Sequence, residues 1–284
     1  MNQAAIATGL RSLGIRAGDV VFFHSSLRSF GHVDGGADAV VDAFLQVVGA
    51  DGLVIVPTLT GTFADSEPKG QVFDPDETPS RVGRITEALR RRPEARRSRH
   101  PTHSIAAIGS RAAELVAGHE HGSTFARDGP YGRYVAWGAR ILFLGVDLRV
   151  NTTTHAVEDW LDLPYMQNEV ALVKGPDGRP VRVPVTKSPM GCRDFYRRGS
   201  KQDAALFGSG IVGQGYIGPC QVLTMGARDC CRVLTTSLAC DPTLLLCDRP
   251  DCPFCSRWRG PTTDWLNSHP EKPGEILDWL DSLP

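Results

Sequence analysis

The sequence predicts an α/β fold: a layered α/β/α sandwich around a mostly parallel central sheet, with an appended antiparallel part. Residues 20–24 form a short apolar run bounded by Ser25 and Ser26, which is typical of a buried strand. An amphipathic helix follows at residues 37–48, and residues 53–58 form the next apolar run. Strand, helix and strand at this spacing indicate a βαβ unit, whose two strands are parallel.

The same alternation continues along the first half of the chain. Ser80 can cap a helix that runs through Arg92 and stops at Pro93. Residues 104–109 and 140–145 are the predicted third and fourth strands, and each leads into a helix, at residues 110–117 and around residues 155–161.

Between the second strand and the helix after Ser80 lies an irregular stretch, residues 58–79, which is rich in Gly, Pro and acidic residues. A loop of this length inside a compact domain is usually functional or disordered. Its carboxylates are either ligands for a cation or the solvated charges of a surface loop.

The second half has a different pattern. Residues 170–174 and 181–185 flank Gly-Pro-Asp-Gly, which predicts a β-hairpin. Further strands are predicted within residues 210–224, and a helix at residues 226–240. We expect one domain over residues 1–284, with residues 240–284 as a cysteine-rich extension packed on it.

Composition narrows the function classes. Lys and Arg number 31 and Asp and Glu number 32 among 284 residues, so a net charge of −1 predicts no electrostatic binding of nucleic acid or of an anionic membrane. The N-terminus does not resemble a signal peptide, and no apolar run is long enough to cross a bilayer. We therefore expect a cytoplasmic protein, and a homodimer is compatible with the sequence.

One group of polar residues follows the predicted fourth strand, where open α/β sheets place their ligands. His155 and Glu158 are three residues apart and share one face of a helix, which suits a general base oriented by a carboxylate. Asp147 is close enough in sequence to orient the imidazole or to bind a cationic substrate. The alternative is a solvated first turn of a helix that has no chemical role.

Two further segments are candidates for ligand binding. Residues 24–31 follow the first strand with small hydroxyl residues and Gly, a composition that suits a phosphate cradle or simply a tight turn. Residues 99–109 lead from basic and hydroxyl residues into a strand of small side chains, against which a ligand can lie. A match to G-x-G-x-x-G at residues 208–213 is rejected because no helix follows it.

All eight cysteines lie between Cys192 and Cys255. Four of them fall within sixteen residues and are candidates for a structural zinc site: Cys240, Cys247, Cys252 and Cys255. The alternative is a packed tail of buried thiols.

Taken together, these segments resemble the aminoglycoside 3-N-acetyltransferase family. The resemblance rests on residues 18–27 with 31–36, on residues 52–58, on residues 97–101 and 104–109, and on Gly145-Val with Asn151-Thr152 and His155-Ala-Val-Glu158. It covers roughly residues 10 to 240, and four motifs in the right order are far more specific than any one of them.

The resemblance implies an acetyl-CoA-dependent N-acetyltransferase in which His155, supported by Glu158 or Asp147, deprotonates the acceptor amine in a ternary complex. It assigns coenzyme A to Ser25, Ser26, Leu27, Ser104, Ile105, Ala106 and Ala107. A polycationic acceptor calls for acidic contacts, and the candidates are Asp65, Asp74, Asp147 and Glu158.

Two features depart from the family pattern. The segment before Gly129-Pro130 lacks the serine that the resemblance implies, and the cysteine-rich tail is an addition. An N-acyltransferase acting on a metabolite amine, or a non-catalytic binding protein stabilised by zinc, therefore stays open as an alternative.

Overall fold

The computed structural model describes residues 1–61, 71–120, 123–187 and 194–284. Its strands are, in chain order, β1 (Val20–Ser25), β2 (Leu53–Pro57), β3 (Val72–Phe73), β4 (Arg96–Arg97), β5 (Ile105–Gly109), β6 (Arg140–Leu144), β7 (Gln167–Lys174), β8 (Pro180–Lys187), β9 (Gly213–Ile217) and β10 (Cys220–Gly226). Its helices are α1 (Gln3–Ser12), α2 (Gly36–Val48), α3 (Arg84–Arg90), α4 (Ala112–Val116), α5 (Pro130–Ala136), α6 (Thr153–Trp160), α7 (Lys201–Gly208), α8 (Ala227–Cys240), α9 (Cys255–Ser268) and α10 (Glu271–Ser282).

Seven strands form the central sheet in the order β4-β5-β2-β1-β6-β10-β9. The pairs β1–β2 and β1–β6 are parallel, which confirms the predicted βαβ unit around α2. The flanking pairs β2–β5, β4–β5, β6–β10 and β9–β10 are antiparallel. Most strands therefore point the same way, although the adjacent parallel strands are confined to the centre of the sheet.

Strands β5 and β10 run antiparallel to their neighbours, whereas the alternation of predicted strands and helices suggested further parallel strands. Each of these strands follows its neighbour in sequence through a short connection: residues 98–104 before β5, and Gly218-Pro219 before β10. A connection this short joins antiparallel strands, because a parallel pair needs a crossover of a dozen residues or more.

Helices cover both faces of the sheet, which confirms the predicted α/β/α layers. Successive β1 side chains alternate between the faces: Phe22 packs with α4, α5, α6 and α8, and Val21 and Phe23 pack with α1, α2 and α3. The extension after α8 belongs to the first of these cores through the buried side chains of α9 and α10.

The predicted hairpin is also present. Strands β7 and β8 pair antiparallel, and β3 adds a parallel edge, so a three-stranded sheet stands apart from the central one. It is the appended, antiparallel part of the fold.

Arg97 connects the long loop to the central sheet. Its guanidinium donates to the main-chain carbonyls of Thr58 at 3.1 Å, Pro75 at 3.0 Å and Thr78 at 2.5 Å, and it lies over the ring of Phe73. Burial lowers the pKa of Arg97 to about 10, well above neutral pH, so the side chain stays a cation. The loop path at residues 75–78 is therefore fixed through backbone contacts.

We predict that Gly145→Ala destabilises the fold. Gly145 has φ 65° and follows β6, and a Cβ built there would overlap the Cβ and Oγ of Ser29. Strain and steric overlap together should lower the free energy of unfolding by about 2 to 4 kcal/mol. Urea denaturation measures this change. Gly208→Ala is the matched control, since nothing lies near its Cβ, and an equal effect of both changes would refute the argument.

Candidate active site

The candidate site lies at the edge of the sheet where the three parallel strands end. Because β2, β1 and β6 run in the same direction, the residues that follow them meet at one edge, and the start of the antiparallel β5 reaches the same edge. A cavity of about 680 Å³ opens there. It is a typical size for a small-molecule site.

The cavity wall combines apolar residues, neutral polar residues and two arginines. Its lining consists of His24, Ser25, Pro57, Leu59, Gly61, Arg81, Val82, Gly83, Thr86, Thr102, His103, Val146, Arg149, Val150, Asn151, Thr152, His155 and Tyr196. Within the described ranges this lining contains two cations and no carboxylate, so this cavity favours an anionic or neutral ligand over a polycation.

His155 lies at the cavity wall and contacts a buried carboxylate. Its Nδ1 is 2.6 Å from Oε2 of Glu158, as their spacing on one helical face predicted. The hydroxyl of Tyr165 donates to the other carboxylate oxygen, Oε1, at 2.8 Å. His155 is 7% exposed and Glu158 is fully buried, so the pair forms inside the protein rather than on a solvated first turn.

Hydrogen bonds lock the first turn of α6 in place. The side chain of Asn151 accepts from the backbone N–H of Thr153 at 3.2 Å, and Thr153 pairs with the hydroxyl of Tyr134 on α5 at 2.9 Å. Thr154 donates to Gln202 on α7 at 2.8 Å. The run of threonines before His155 is thus buried, and it fixes the position of the imidazole.

The other histidines of this wall are neutral. Burial lowers the pKa of His24 to about 3, and burial with the nearby His155 lowers the pKa of His103 to about 3. The Nε2 of His24 and the Oγ of Ser25 are buried at the cavity and have no hydrogen-bond partner in the described part of the chain. Such atoms are suited to bonding with a ligand.

The predicted coenzyme A residues occupy different positions. Ser25 lines the cavity, and Ser26 precedes a 3₁₀ turn at Leu27–Phe30. The other four side chains are buried in and beside the sheet: Ser104, Ile105, Ala106 and Ala107. Ser104 bonds to Thr58, and the three β5 side chains pack into the two cores. The structure therefore brings Ser25 to the cavity and places the β5 residues behind its wall.

Asp147 lies beside the cavity that holds His155. Burial acts to raise the pKa of its carboxyl, but a hydrogen bond from Nε of Arg149 at 2.8 Å and the charge of Arg198 at 3.4 Å outweigh burial and hold that pKa below its usual value. Asp147 lines a second cavity of about 890 Å³, together with Asp203. Glu158 is the carboxylate that contacts the imidazole, and a role for Asp147 in orienting the ring stays a prediction.

The remaining acidic candidates do not gather at His155. Asp74 is paired with Lys174 of β7 at 2.7 Å, and this hydrogen bond lowers the pKa of Asp74. Asp65 lies outside the described residues. Glu158 is fully buried, and its two oxygens bond to His155 and Tyr165, which favours orientation of the imidazole over a contact with substrate.

Three of the four candidate zinc ligands come together. The sulfur atoms of Cys247, Cys252 and Cys255 lie within 4.8 Å of one another, and all three residues are buried. Cys240 is exposed at the end of α8 and lies outside this group. A site that includes Cys240 is therefore not the one that the structure assembles.

Sequence reasoning missed several residues of the site. Tyr165 is invisible to spacing arguments, because it reaches Glu158 from the loop after α6. The cavity is also lined by Arg81, Arg149 and Tyr196, and their place in its wall is visible only in the folded structure.

Among the described residues, no helix combines the length and the apolar character that a membrane span requires.

The fold and the site define a layered α/β protein with a buried His–Glu pair at the edge of its parallel strands. A family model described as aminoglycoside 3-N-acetyltransferase matches residues 22–239. The chain belongs to this family, which confirms the resemblance seen in the sequence.

Individual relatives carry the same description as the family model. The aminoglycoside N(3)-acetyltransferase VII of Streptomyces paromomycinus is 36% identical over 182 residues, which cover 58% of this chain and 62% of that protein. The match therefore spans less than two thirds of this curated relative. A second relative, aminoglycoside N(3)-acetyltransferase IX from Micromonospora chalcea, is matched over 63% of its length.

Solved structures share the fold over more of the chain. A histidine-to-alanine mutant of aminoglycoside acetyltransferase AAC(3)-IVa in complex with a gentamicin has a TM-score of 0.79 at 25% identity, covering 91% of this chain and 96% of that chain. AAC-VIa bound to sisomicin has a TM-score of 0.74 at 28% identity, covering 84% and 97%.

The carboxyl of Asp159, next to Glu158, gives a pH-dependent prediction. Burial raises its pKa from 3.8 to about 6, although Ser123 donates to it at 2.6 Å. The folded form binds this proton more tightly than the unfolded form, so the contribution to stability is greatest at low pH and is lost as pH rises through about 6. Asp159→Asn removes this loss.

We expect Asp159→Asn to raise the free energy of unfolding, relative to the unmodified chain, by about 2 kcal/mol more at pH 8 than at pH 4. Guanidinium denaturation at the two pH values provides the comparison. Asp34→Asn, at an exposed position, is the control. A difference that does not change with pH would contradict the assigned burial of this charge.

Proposed function

We propose that this protein is an acetyl-CoA-dependent N-acetyltransferase that modifies the 3-amino group of an aminoglycoside by direct transfer. The observation that carries the proposal is the hydrogen-bonded series His155–Glu158–Tyr165 at the wall of a ligand-sized cavity. Family membership supplies the reaction class, and the names of the relatives supply the substrate. The gentamicin and the sisomicin bound by two structural neighbours support the same acceptor class.

His155 acts as the general base. Because the Glu158 carboxylate accepts the Nδ1 proton, the tautomer carries its lone pair on Nε2, the nitrogen that takes a proton from the acceptor ammonium. The amine nitrogen then bonds to the thioester carbonyl carbon and the C–S bond breaks. The departing thiolate receives a proton from the imidazolium, and the nitrogen releases its second proton to solvent, which leaves a neutral amide and the free thiol of coenzyme A. No acyl-enzyme forms, and proximity in the ternary complex supplies the remaining rate gain.

The cavity beside His155 suits the donor. Arg81 and Arg149 supply positive charge for the phosphates of coenzyme A, and the unpartnered atoms of His24 and Ser25 are available to the pantetheine amides. This placement supports Ser25 as a donor contact. The apolar lining around Val146 and Val150 fits the uncharged arm of the cofactor.

The second cavity suits the acceptor. It carries the carboxylates of Asp147 and Asp203 beside the guanidinium groups of Arg149 and Arg198. It shares four residues with the first cavity: Val146, Arg149, Val150 and Tyr196. A polycation is favoured where carboxylates face it, so Asp147 is assigned to acceptor binding rather than to proton transfer. Of these two adjoining cavities, the second is the one lined by carboxylates, as a site for a cationic acceptor requires.

We predict that His155→Ala lowers kcat at least about a hundredfold and leaves the affinity for coenzyme A nearly unchanged, because the change removes the base without removing the donor site. Steady-state kinetics and calorimetric titration with coenzyme A measure the two effects.

His32→Ala is the control for this variant, since the His32 side chain is exposed and pairs with the exposed Asp34. It should retain full activity. Turnover in His155→Ala within tenfold of the unmodified enzyme would show that another group is the base.

The reaction itself is tested by incubating the protein with acetyl-CoA and a panel of 2-deoxystreptamine aminoglycosides while following the release of free thiol. We expect release with at least one of them, and NMR of the product should place the acetyl group on the 3-amino nitrogen. Binding of coenzyme A without release by any aminoglycoside would reject this acceptor and favour a metabolite amine instead. If coenzyme A does not bind, the enzyme proposal fails.

A further inference from the structure

We propose that Cys247, Cys252 and Cys255 bind one zinc ion, which cross-links the segment between α8 and α9 and joins the C-terminal helices to the domain. Nothing in the acetyl transfer uses these residues. The site is structural and goes beyond the proposed function.

The sulfur atoms are near enough to one another to bind one zinc ion after small side-chain adjustments. Thiolates bound at about 2.3 Å in a tetrahedron have sulfur atoms about 3.8 Å apart. The three sulfurs here all lie within 4.8 Å of one another before any ion is added. They come from two parts of the chain: Cys247 in the loop, and the Cys-x-x-Cys unit whose second cysteine, Cys255, begins α9. The fourth tetrahedral position belongs to a ligand outside this trio.

Groups around the trio also suit a metal site. The backbone N–H of Cys255 points to the sulfur of Cys252 at 3.4 Å, a contact that stabilises a thiolate. Arg259 of α9 donates to the carbonyl of Cys247 at 2.5 Å and to that of Arg249 at 3.2 Å, which places a positive charge beside three ligands that would each carry a negative one.

Simple packing accounts for the other buried thiols but not for this group. Cys230 and Cys231 are consecutive residues of α8 within the apolar core, where they serve as small apolar side chains. Cys247, Cys252 and Cys255 instead bring three sulfur atoms to one point, and none of them is in a disulfide. Convergence of this kind is expected of ligands to one ion.

The site lies next to the wall behind the proposed base. Phe254, the neighbour of Cys255, packs edge-on against Tyr165 with ring centroids 6.2 Å apart, and Tyr165 holds Glu158. A fixed loop at residues 247–255 therefore supports the tyrosine that positions the catalytic carboxylate.

Metal analysis of the full chain, purified without chelators, tests the proposal. We expect one zinc per chain in the unmodified protein, close to none in Cys252→Ser and Cys255→Ser, and one in Cys240→Ser, which alters an exposed thiol outside the trio. No zinc in the unmodified protein, equal loss in all three variants, or a Cys252–Cys255 disulfide found by mass spectrometry would overturn the site.

A second measurement does not depend on whether the serine variants fold. Titrating the unmodified protein with a mercurial reagent, with a zinc indicator present, should release one zinc as the buried thiols react, and the melting temperature should fall by more than about 5 °C. Thiol modification without zinc release would refute the proposal. Both readouts are independent of acetyl transfer, so the zinc site and the proposed function can fail separately.

Discussion

The contact between His155 and Glu158 sets the strictest requirement on this structure. Burying a carboxylate away from solvent costs free energy unless its oxygens are hydrogen bonded. One oxygen of Glu158 bonds to the imidazole of His155, and the other accepts from the hydroxyl of Tyr165. The bonds from Thr153 and Thr154 to neighbouring helices hold the start of α6, so that the pair keeps its geometry. Much of the packing around α6 therefore holds one buried charge, the carboxylate of Glu158, in place.

The same wall shows how one histidine becomes distinct from its neighbours. His24 stacks on Phe143, and His103 packs edge-on against Phe125, so burial keeps both rings neutral at any physiological pH. Of the histidines lining the cavity in the described ranges, His155 is the one in contact with a carboxylate. Its environment, more than its residue type, is what suits it to the proposed role of base.

Sequence patterns predicted the parts of the fold that are set by contacts between residues close together in the chain. The βαβ unit, the hairpin and the shared helical face of His155 and Glu158 are set by periods of two or 3.6 residues and by turn chemistry, and all were predicted correctly. The direction of β5 was not predicted, because the sequence of one strand does not show which strand will pair with it. Long-range pairings escaped prediction for the same reason: Tyr165 reaches Glu158 across the end of α6. The candidate metal ligands were chosen by proximity in sequence, which grouped three thiols that do converge and added Cys240, which does not.

Arg97 has a consequence for which residues of this chain can vary. It holds the loop through the carbonyls of Pro75 and Thr78, and every residue type offers the same carbonyl. The side chains of Asp76 and Glu77, which lie between these two carbonyls, can therefore be exchanged with little effect on the course of the chain. Evolution, or a combinatorial library, can alter the chemistry displayed at residues 76 and 77 while the supporting framework stays as it is.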